Sequence, residues 1–257
     1  MIDIHSHILP NVDDGSKSKD MTFEMLHKAA NNGTKKIVAT PHYCIGYGQV
    51  PYYEIKEMVN NLRVDIKKMN LNIDIYHGQE IYFHNNLVKW YEEGIIGTIN
   101  DTKYMLIELP MDKFNNDNIL NIFYELQIKG IKIVLAHPER YMPIRNDPTN
   151  INKFVKEGLL FQVNSGSLLG TFGKKVKKTA EILINNNIYN FIGSDAHNND
   201  IRNTDMSNIT LLANKKLNVD IEFLTNSSEK LLLNEDVNCI GEEIKIKKFY
   251  FNFFNKY

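Results

Sequence analysis

Cysteine is nearly absent: the 257 residues hold two, Cys44 and Cys239, too few for a disulfide framework. Neither charge sign dominates. Lys and Arg number 30 against 31 Asp and Glu, for a net charge of −1, so no broad nucleic-acid surface is expected. No apolar run approaches the roughly 18 residues of a membrane span, and no basic segment followed by an apolar one precedes the first strand pattern. No signal peptide is therefore expected, and the chain reads as soluble and cytoplasmic. There is no composition shift or low-complexity linker, so residues 1–257 read as one domain. Arginine is scarce as well, 4 residues against 26 lysines. Lysine serves almost every cationic position. An arginine therefore marks a place that wants the planar, bidentate fork, and the four are Arg63, Arg140, Arg145 and Arg202.

What is present is organised around the first seven residues, Met1-Ile2-Asp3-Ile4-His5-Ser6-His7. Alternate side chains of a strand share a face. Ile2 and Ile4 are thus expected to pack outward, while His5 and His7 point together at the strand's C-terminal end. Two imidazoles so placed can hold one metal ion. The same pattern also fits an exposed polar strand end, and the rest of the chain has to decide.

Further strands are expected at residues 35–40, 72–80, 104–109, 131–136, 159–163 and 189–193, with helices between them at 21–29, 53–69, 87–93, 118–129, 151–157 and 174–185. Beyond residue 197 the chain reads as mainly helical to Leu233. Seven strand–helix alternations with short connections indicate a parallel α/β sheet, most simply closed as a barrel. Barrels of this kind run near this length as one domain; an open doubly wound sheet is the alternative. Residues 43–53 form a loop rich in glycine and tyrosine. Residues 244–257, with Phe249, Tyr250, Phe251, Phe253, Phe254 and Tyr257 among lysines, read as a closing strand or as a contact for a partner or membrane surface.

The strand ends form a set: His5 and His7, His42, Glu80, Glu108, His137, and Asp195 with His197, with Asp14 in the first loop. C-terminal strand ends converge on the active site in barrels and open α/β sheets alike. Ligand-type residues at six of seven ends exceed what solvated strand ends explain. Nine ligands are too many for one ion, so two or three ions are expected, with a carboxylate such as Glu80 bridging. Imidazole and carboxylate without thiolate suit Mn²⁺, Fe or Zn²⁺. Asp3 faces the same way as His5 and is either an acceptor for an imidazole N–H or a plain polar strand residue.

These motifs resemble the polymerase-and-histidinol-phosphatase superfamily: Asp3-x-His5-x-His7, Thr40-Pro41-His42, Glu80, Ala136-His137-Pro138-Glu139-Arg140 and Ser194-Asp195-Ala196-His197. More narrowly, the chain is similar to the bacterial manganese-dependent protein-tyrosine phosphatases of capsule and exopolysaccharide loci. That similarity is carried by His5-Ser6-His7-Ile8-Leu9-Pro10 with Asp13-Asp14-Gly15, Gly78-Gln79-Glu80, Asn164-Ser165-Gly166-Ser167 with Gly170, and Ser194-Asp195-Ala196-His197-Asn198. It covers residues 1–215. The resemblance implies a distorted (β/α)₇ barrel with three metal ions. His5, His7, Glu80 and Asp195 would hold the first, Glu80, Glu108 and His137 the second, and Asp14, His42 and His197 the third. Arg140 matches the phosphate-contacting arginine, Arg202 falls near a second one, and His42 or His197 is a candidate general acid. A tyrosine-rich tail of a bacterial tyrosine kinase is the implied substrate.

In that chemistry a metal cluster makes hydroxide available near neutral pH, and the hydroxide attacks phosphorus in line. A phenol leaves with a pKa near 10, so phosphotyrosine depends little on a strong acid. A cysteine mechanism, similar to Cys-x₅-Arg, is excluded by spacing: Val50 lies six places after Cys44 and Lys245 six after Cys239. Tyr43, Tyr47, Tyr52 and Tyr53 are expected either to flank the mouth and stack on a phosphotyrosine ring or to pack on the barrel. The alternatives are a small-molecule phosphatase such as a histidinol phosphatase, a phosphodiesterase, which the near-neutral charge disfavours, and a non-enzymatic regulator.

Overall fold

A computed structural model describes residues 1–209 and 220–245. The helical reading of 210–219 and nearly all of the aromatic tail therefore lie outside the described residues.

Ten short strands among the described residues make up seven barrel strands and one added hairpin strand, β4. β1 (Ile2–Ser6), β2 (Lys36–Ala39) and β5 (Asp74–His77) form one parallel sheet, in the order β1-β2-β5. The second sheet runs β10-β9-β8-β7-β6-β3-β4. Its members are β3 (His42–Cys44), β4 (Gly48–Gln49), β6 (Glu80–Tyr82), β7 (Tyr104–Glu108), β8 (Lys132–Ala136), β9 (Leu160–Asn164) and β10 (Phe191–Gly193). β2 runs on into β3, and β5 into β6, across two-residue breaks. Each pair is thus one strand that changes sheet. The ring closes where the Asp195 N–H donates to the His5 carbonyl (2.8 Å) and the His7 N–H to that of Ala196 (2.9 Å). The result is the distorted (β/α)₇ barrel, with an antiparallel hairpin, β3–β4, appended at one edge.

The two breaks differ from the unbroken strands expected at 35–40 and 72–80. Proline has no N–H for the ladder, and Pro41 ends β2. Gly78-Gln79 ends β5 at the same level. Beyond the breaks His42 pairs directly with Glu80, so two ligand-type residues become neighbours. The segment after Tyr43, expected as a loop, is the hairpin and then α2 (Tyr52–Lys68). A helical turn at Ser165–Leu169 follows β9 where a bare strand end was expected.

The direction of Ile2 and Ile4 is corrected by the structure. They pack with Val38, Leu106, Val134, Leu160 and Phe191, residues of five other strands, so they fill the barrel and do not face outward. The next residue, His5, also reaches inward, to Gln162 on β9. Two consecutive residues on one side break strict alternation. The register of β1 against β2 shifts between Asp3 and Ser6, an irregularity of the kind that re-aims a side chain. Outside the barrel, α1 (Lys19–Asn31) and α2 cover β2 and β5 through Met25, Leu26, Ile55, Val59, Ile37 and Ile75. The Ser18 hydroxyl caps α1 by accepting from the Met21 N–H at 3.1 Å.

Candidate metal centre

All nine ligand-type residues lie at the C-terminal end of the barrel. His5 is the last residue but one of β1 and His7 follows the strand. Asp14 is in the next loop, and His42 and Glu80 open β3 and β6. Glu108 ends β7, His137 follows β8, and Asp195 and His197 follow β10. Two glycines permit this crowding. A Cβ on Gly15 would lie 2.2 Å from the His7 carbonyl oxygen, and one on Gly193 would lie 2.6 Å from the His5 Cβ. No larger residue fits either place without moving backbone. His137 and Asp195 sit at φ 30° and 51°, left-handed values that cost energy outside glycine and concentrate at functional sites.

Glu80 is the centre. Its Oε2 lies 3.2 Å from His5 Nε2, 3.2 Å from His7 Nε2 and 3.1 Å from His42 Nδ1, and its Oε1 lies 2.8 Å from His137 Nε2. Asp195 Oδ1 is 3.6 Å from His7 Nε2 and 3.4 Å from His197 Nδ1. Asp14 Oδ1 is 3.2 Å from His197 Nε2 and 3.7 Å from His42 Nε2. Glu108 lies 3.6 Å from His137 and 3.8 Å from His42. Three groups of ligand atoms result, each within 4.8 Å: His5, His7, Glu80 and Asp195; His42, Glu80 and Glu108; and His7, Asp14, His42 and His197. The first has the membership expected for the first ion. In the second group His42 stands where His137 was expected, His137 lying 2.8 Å from Glu80 Oε1 outside the group, and in the third His7 joins Asp14, His42 and His197.

The chemistry of this donor set fits divalent cations. Three imidazoles have Nδ1 committed as a donor: His5 to Gln162 Oε1 (2.9 Å), His7 to Asp13 Oδ2 (2.7 Å) and His197 to its neighbour's carbonyl, Asp195 O (2.9 Å). In neutral form each then turns a bare Nε2 lone pair inward. His5 Nε2 and His7 Nε2 face each other at 3.2 Å. Lone pairs and carboxylate oxygens at such distances repel unless protons or cations lie between them. Glu80 Oε2, His42 Nδ1 and Asp14 Oδ1 are buried and lack hydrogen-bond geometry to any partner. The ionisation equilibria carry the same strain. Burial, then the charges of Glu80 and Asp195, push the Glu108 carboxyl up to about 9. Burial and Arg140 push His137 down to about 4. His7 is penalised by burial, but Asp13 and Glu80 carry it well above its ordinary value. Asp195 is buried, yet His5 and Arg202 hold it below the carboxylate range.

Asp13 and Gln162 join the site without being expected from the sequence, each holding the Nδ1 side of an imidazole. Asp13 accepts from His7, from the His42 backbone N–H (2.8 Å) and from the Gly15 N–H (2.8 Å). It is thus the carboxylate that fixes an imidazole, a role considered for Asp3. Asp3 instead accepts from two backbone N–H groups, those of His5 and Ser194. For Asp13 the available signal is its place beside Asp14 in Asp13-Asp14-Gly15. Gln162 gave no signal, since a glutamine inside a strand has no marked chemistry. Glu139 is also buried, and its carboxylate accepts from the Asn164 N–H and the Tyr189 hydroxyl, which pins the loop carrying His137 and Arg140.

Arg140 and Arg202 come together. Arg140 Nη1 donates to Asp195 Oδ2 at 2.7 Å and Arg202 Nη2 to Oδ1 at 2.9 Å. Both line a cleft of about 250 Å³ with Asp14, His42, Glu80, Glu108, Asp195 and His197. Its rim is Cys44, Tyr47, Tyr82 and Met111. Of the four tyrosines considered for the mouth, only Tyr47 is there. Tyr43 is buried against Trp90, the Tyr52 hydroxyl donates to the Thr98 carbonyl, and Tyr53 projects from α2. Arg63 lies outside the cleft and donates to the Ile75 carbonyl. No helix among the described residues is long and apolar enough to cross a membrane.

A family model described as capsular polysaccharide synthesis, CpsB/CapC, matches residues 1–233. The chain belongs to the CpsB/CapC family. It is 35% identical to tyrosine-protein phosphatase YwqE of Bacillus subtilis, over 92% of this chain and 93% of that one. It is 34% identical to the putative tyrosine-protein phosphatase CapC of Staphylococcus aureus, over 97% of this chain and 99% of the relative. A solved structure in a study of YwqE and of CpsB from Streptococcus pneumoniae, described as unique metal-dependent tyrosine phosphatases, superimposes with a TM-score of 0.89. It is 34% identical and covers 96% of this chain and all of that one.

Proposed function

We propose that this chain is a metal-dependent protein-tyrosine phosphatase whose substrate is a phosphorylated, tyrosine-rich segment of a bacterial tyrosine kinase that governs capsule or exopolysaccharide synthesis in the cytoplasm. The observation that carries this is the joining, in one cleft, of clustered His, Asp and Glu side chains with two arginines, in a chain that aligns over nearly its whole length with YwqE. We assign His5, His7, Glu80 and Asp195 to one ion, Glu80, Glu108 and His137 to a second, and Asp14, His42 and His197 to a third. Mn²⁺ is the proposed metal, with Fe or Zn²⁺ compatible with the same donors. Residues 1–257 are taken as a single domain.

Bound divalent cations supply Lewis acidity and bring the pKa of water toward neutrality. The side chains do the rest. Gln162 and Asp13 hold the His5 and His7 rings so that Nε2 faces inward. Arg140 and Arg202 each keep guanidinium donors beyond those given to Asp195. These donors would hold the non-bridging phosphoryl oxygens as charge spreads over them. Tyr47, 56% exposed at the rim, offers a face on which a substrate ring can stack. The departing phenolate, with a pKa near 10, depends little on a strong acid, and His42 or His197, both lining the cleft, would protonate it where not committed to metal.

The test is phosphate release from a phosphotyrosine peptide and from histidinol phosphate, assayed side by side. Metal-stripped protein would be used with Mn²⁺ added back, and Arg140→Ala as the control. Release from the peptide alone, lost on stripping and in the variant, is expected. Release from histidinol phosphate alone would keep the metal centre and overturn the substrate.

A further inference from the structure

We propose that Phe172 is a positioning residue for the two cleft arginines, resting on the phosphatase reading above. Arg140 Cζ lies 4.7 Å and Arg202 Cζ 5.7 Å from the centroid of the Phe172 ring. The same two guanidinia donate to the two oxygens of Asp195. Two cations therefore converge within the width of one carboxylate and repel each other. The carboxylate offsets this on one side, and the negative face of the aromatic ring offsets it on the other. Held from both sides, the guanidinia keep their free N–H groups turned to the cleft.

The backbone around Phe172 is built for this placement. Phe172 lies between the helical turn Ser165–Leu169 and the helix Lys174–Asn185. Gly170 and Gly173, two before it and one after, adopt φ of 95° and 92°, values that side-chain-bearing residues rarely take. A Cβ on Gly166 would lie 3.0 Å from the ring's Cε2, so the ring is seated on a glycine. Phe172 borders a neighbouring cavity of about 200 Å³ that shares Arg202, and it does not line the catalytic cleft. It therefore acts on substrate through the arginines and not by contact. The cation–π contact also accounts for arginine at positions 140 and 202 in a lysine-rich chain. A planar guanidinium lies flat on a ring, whereas an ammonium does not reproduce that contact.

The test compares Phe172→Leu, which keeps apolar bulk, with Phe172→Tyr, which keeps the ring, in the full metal-loaded chain. Three quantities are read: kcat and KM on a phosphotyrosine peptide, the affinity for orthovanadate by calorimetry, and melting temperature with metal content. Phe172→Leu is expected to weaken orthovanadate binding and lower kcat/KM by about 3- to 30-fold, with metal content unchanged. Phe172→Tyr should stay close to wild type. In an Arg202→Met background the Leu effect should shrink, because part of what the ring acts on is gone. If Phe172→Leu lowers the melting temperature, Phe172→Met takes its place. Wild-type values in both apolar variants, or an undiminished loss in the Arg202→Met background, would overturn the proposal. If wild-type protein binds orthovanadate but cleaves no phosphotyrosine peptide, the substrate reading fails while the calorimetry still decides Phe172.

Discussion

Asp13 shows how one residue governs a ligand it sits beside. Its carboxylate takes the Nδ1–H of His7 and two backbone N–H groups. His7 is penalised by burial, but Asp13 helps to lift it well above its ordinary value. Removing the acceptor in Asp13→Ala frees the ring to rotate. We expect metal affinity to fall about 10- to 100-fold, measured by titrating stripped protein with Mn²⁺; unchanged affinity would contradict the role. The same electrostatics set a pH dependence for metal uptake. Without metal, His5 and His7 hold protons above their ordinary range and burial keeps Glu108 protonated up to about 9. Binding must expel those protons. Affinity is thus expected to rise with pH between about 6 and 9, with proton release visible as a buffer-dependent heat. Cys44, at the cleft rim, has a thiol that burial pushes up, which makes it a poor nucleophile. Cys44→Ser should retain turnover, and its loss would reopen a thiol mechanism.

At the level of elements, the site depends on strands that fail to run straight. β2 breaks at Pro41 and β5 at Gly78-Gln79, and only beyond the breaks do His42 and Glu80 pair. β1 shifts register between Asp3 and Ser6, which turns His5 inward beside Ile4. On the other side β10 must present no side chain to His5. Gly193→Ala would set a Cβ 2.6 Å from the His5 Cβ, and relief requires backbone movement of β1 or β10. A cost of about 1–3 kcal/mol is expected, read as a lower melting temperature together with reduced metal content. A variant that melts lower yet binds metal normally would mean that the strain is absorbed away from His5.

For the whole molecule, the metal centre is the keystone of the closed end. Side chains on or next to β1, β3, β6, β7, β8 and β10 bring carboxylates and imidazoles into one cluster. Stripped of metal, this cluster can hold Glu80 and Asp195 ionised only by keeping protons on His5 and His7 and leaving the Glu108 carboxyl neutral. Chelation is therefore expected to lower the melting temperature, and added Mn²⁺ to raise it progressively with concentration. Mass action alone contributes about 4 kcal/mol at a thousandfold excess over the dissociation constant. A melting temperature indifferent to metal would argue that the cluster stands without ions.

Much of this was legible along the chain because it is written in local pattern. Buried strands read as apolar runs, helices as 3.6-residue periodicity, and ligand-type residues recur at strand ends. The seven strand units and the C-terminal placement of His5, His7, Glu108, His137, Asp195 and His197 followed from that, and the scarcity of arginine singled out Arg140 and Arg202, which line the cleft. What the sequence by itself determined is therefore the repeating unit and the identity of its chemical side chains. The tertiary structure decided how they meet. Closure of β10 on β1 brings Asp195 to His5 across about 190 positions. The strand breaks make neighbours of His42 and Glu80. The choice of Asp13 over Asp3 as imidazole partner depends on which loop folds back over His7. The inward turn of Ile2 and Ile4 depends on a register shift, and Phe172 reaches both arginines only because three glycines shape its loop. Each of these is a contact between residues distant in sequence or a departure from regular alternation, and neither leaves a periodic trace for local pattern to report.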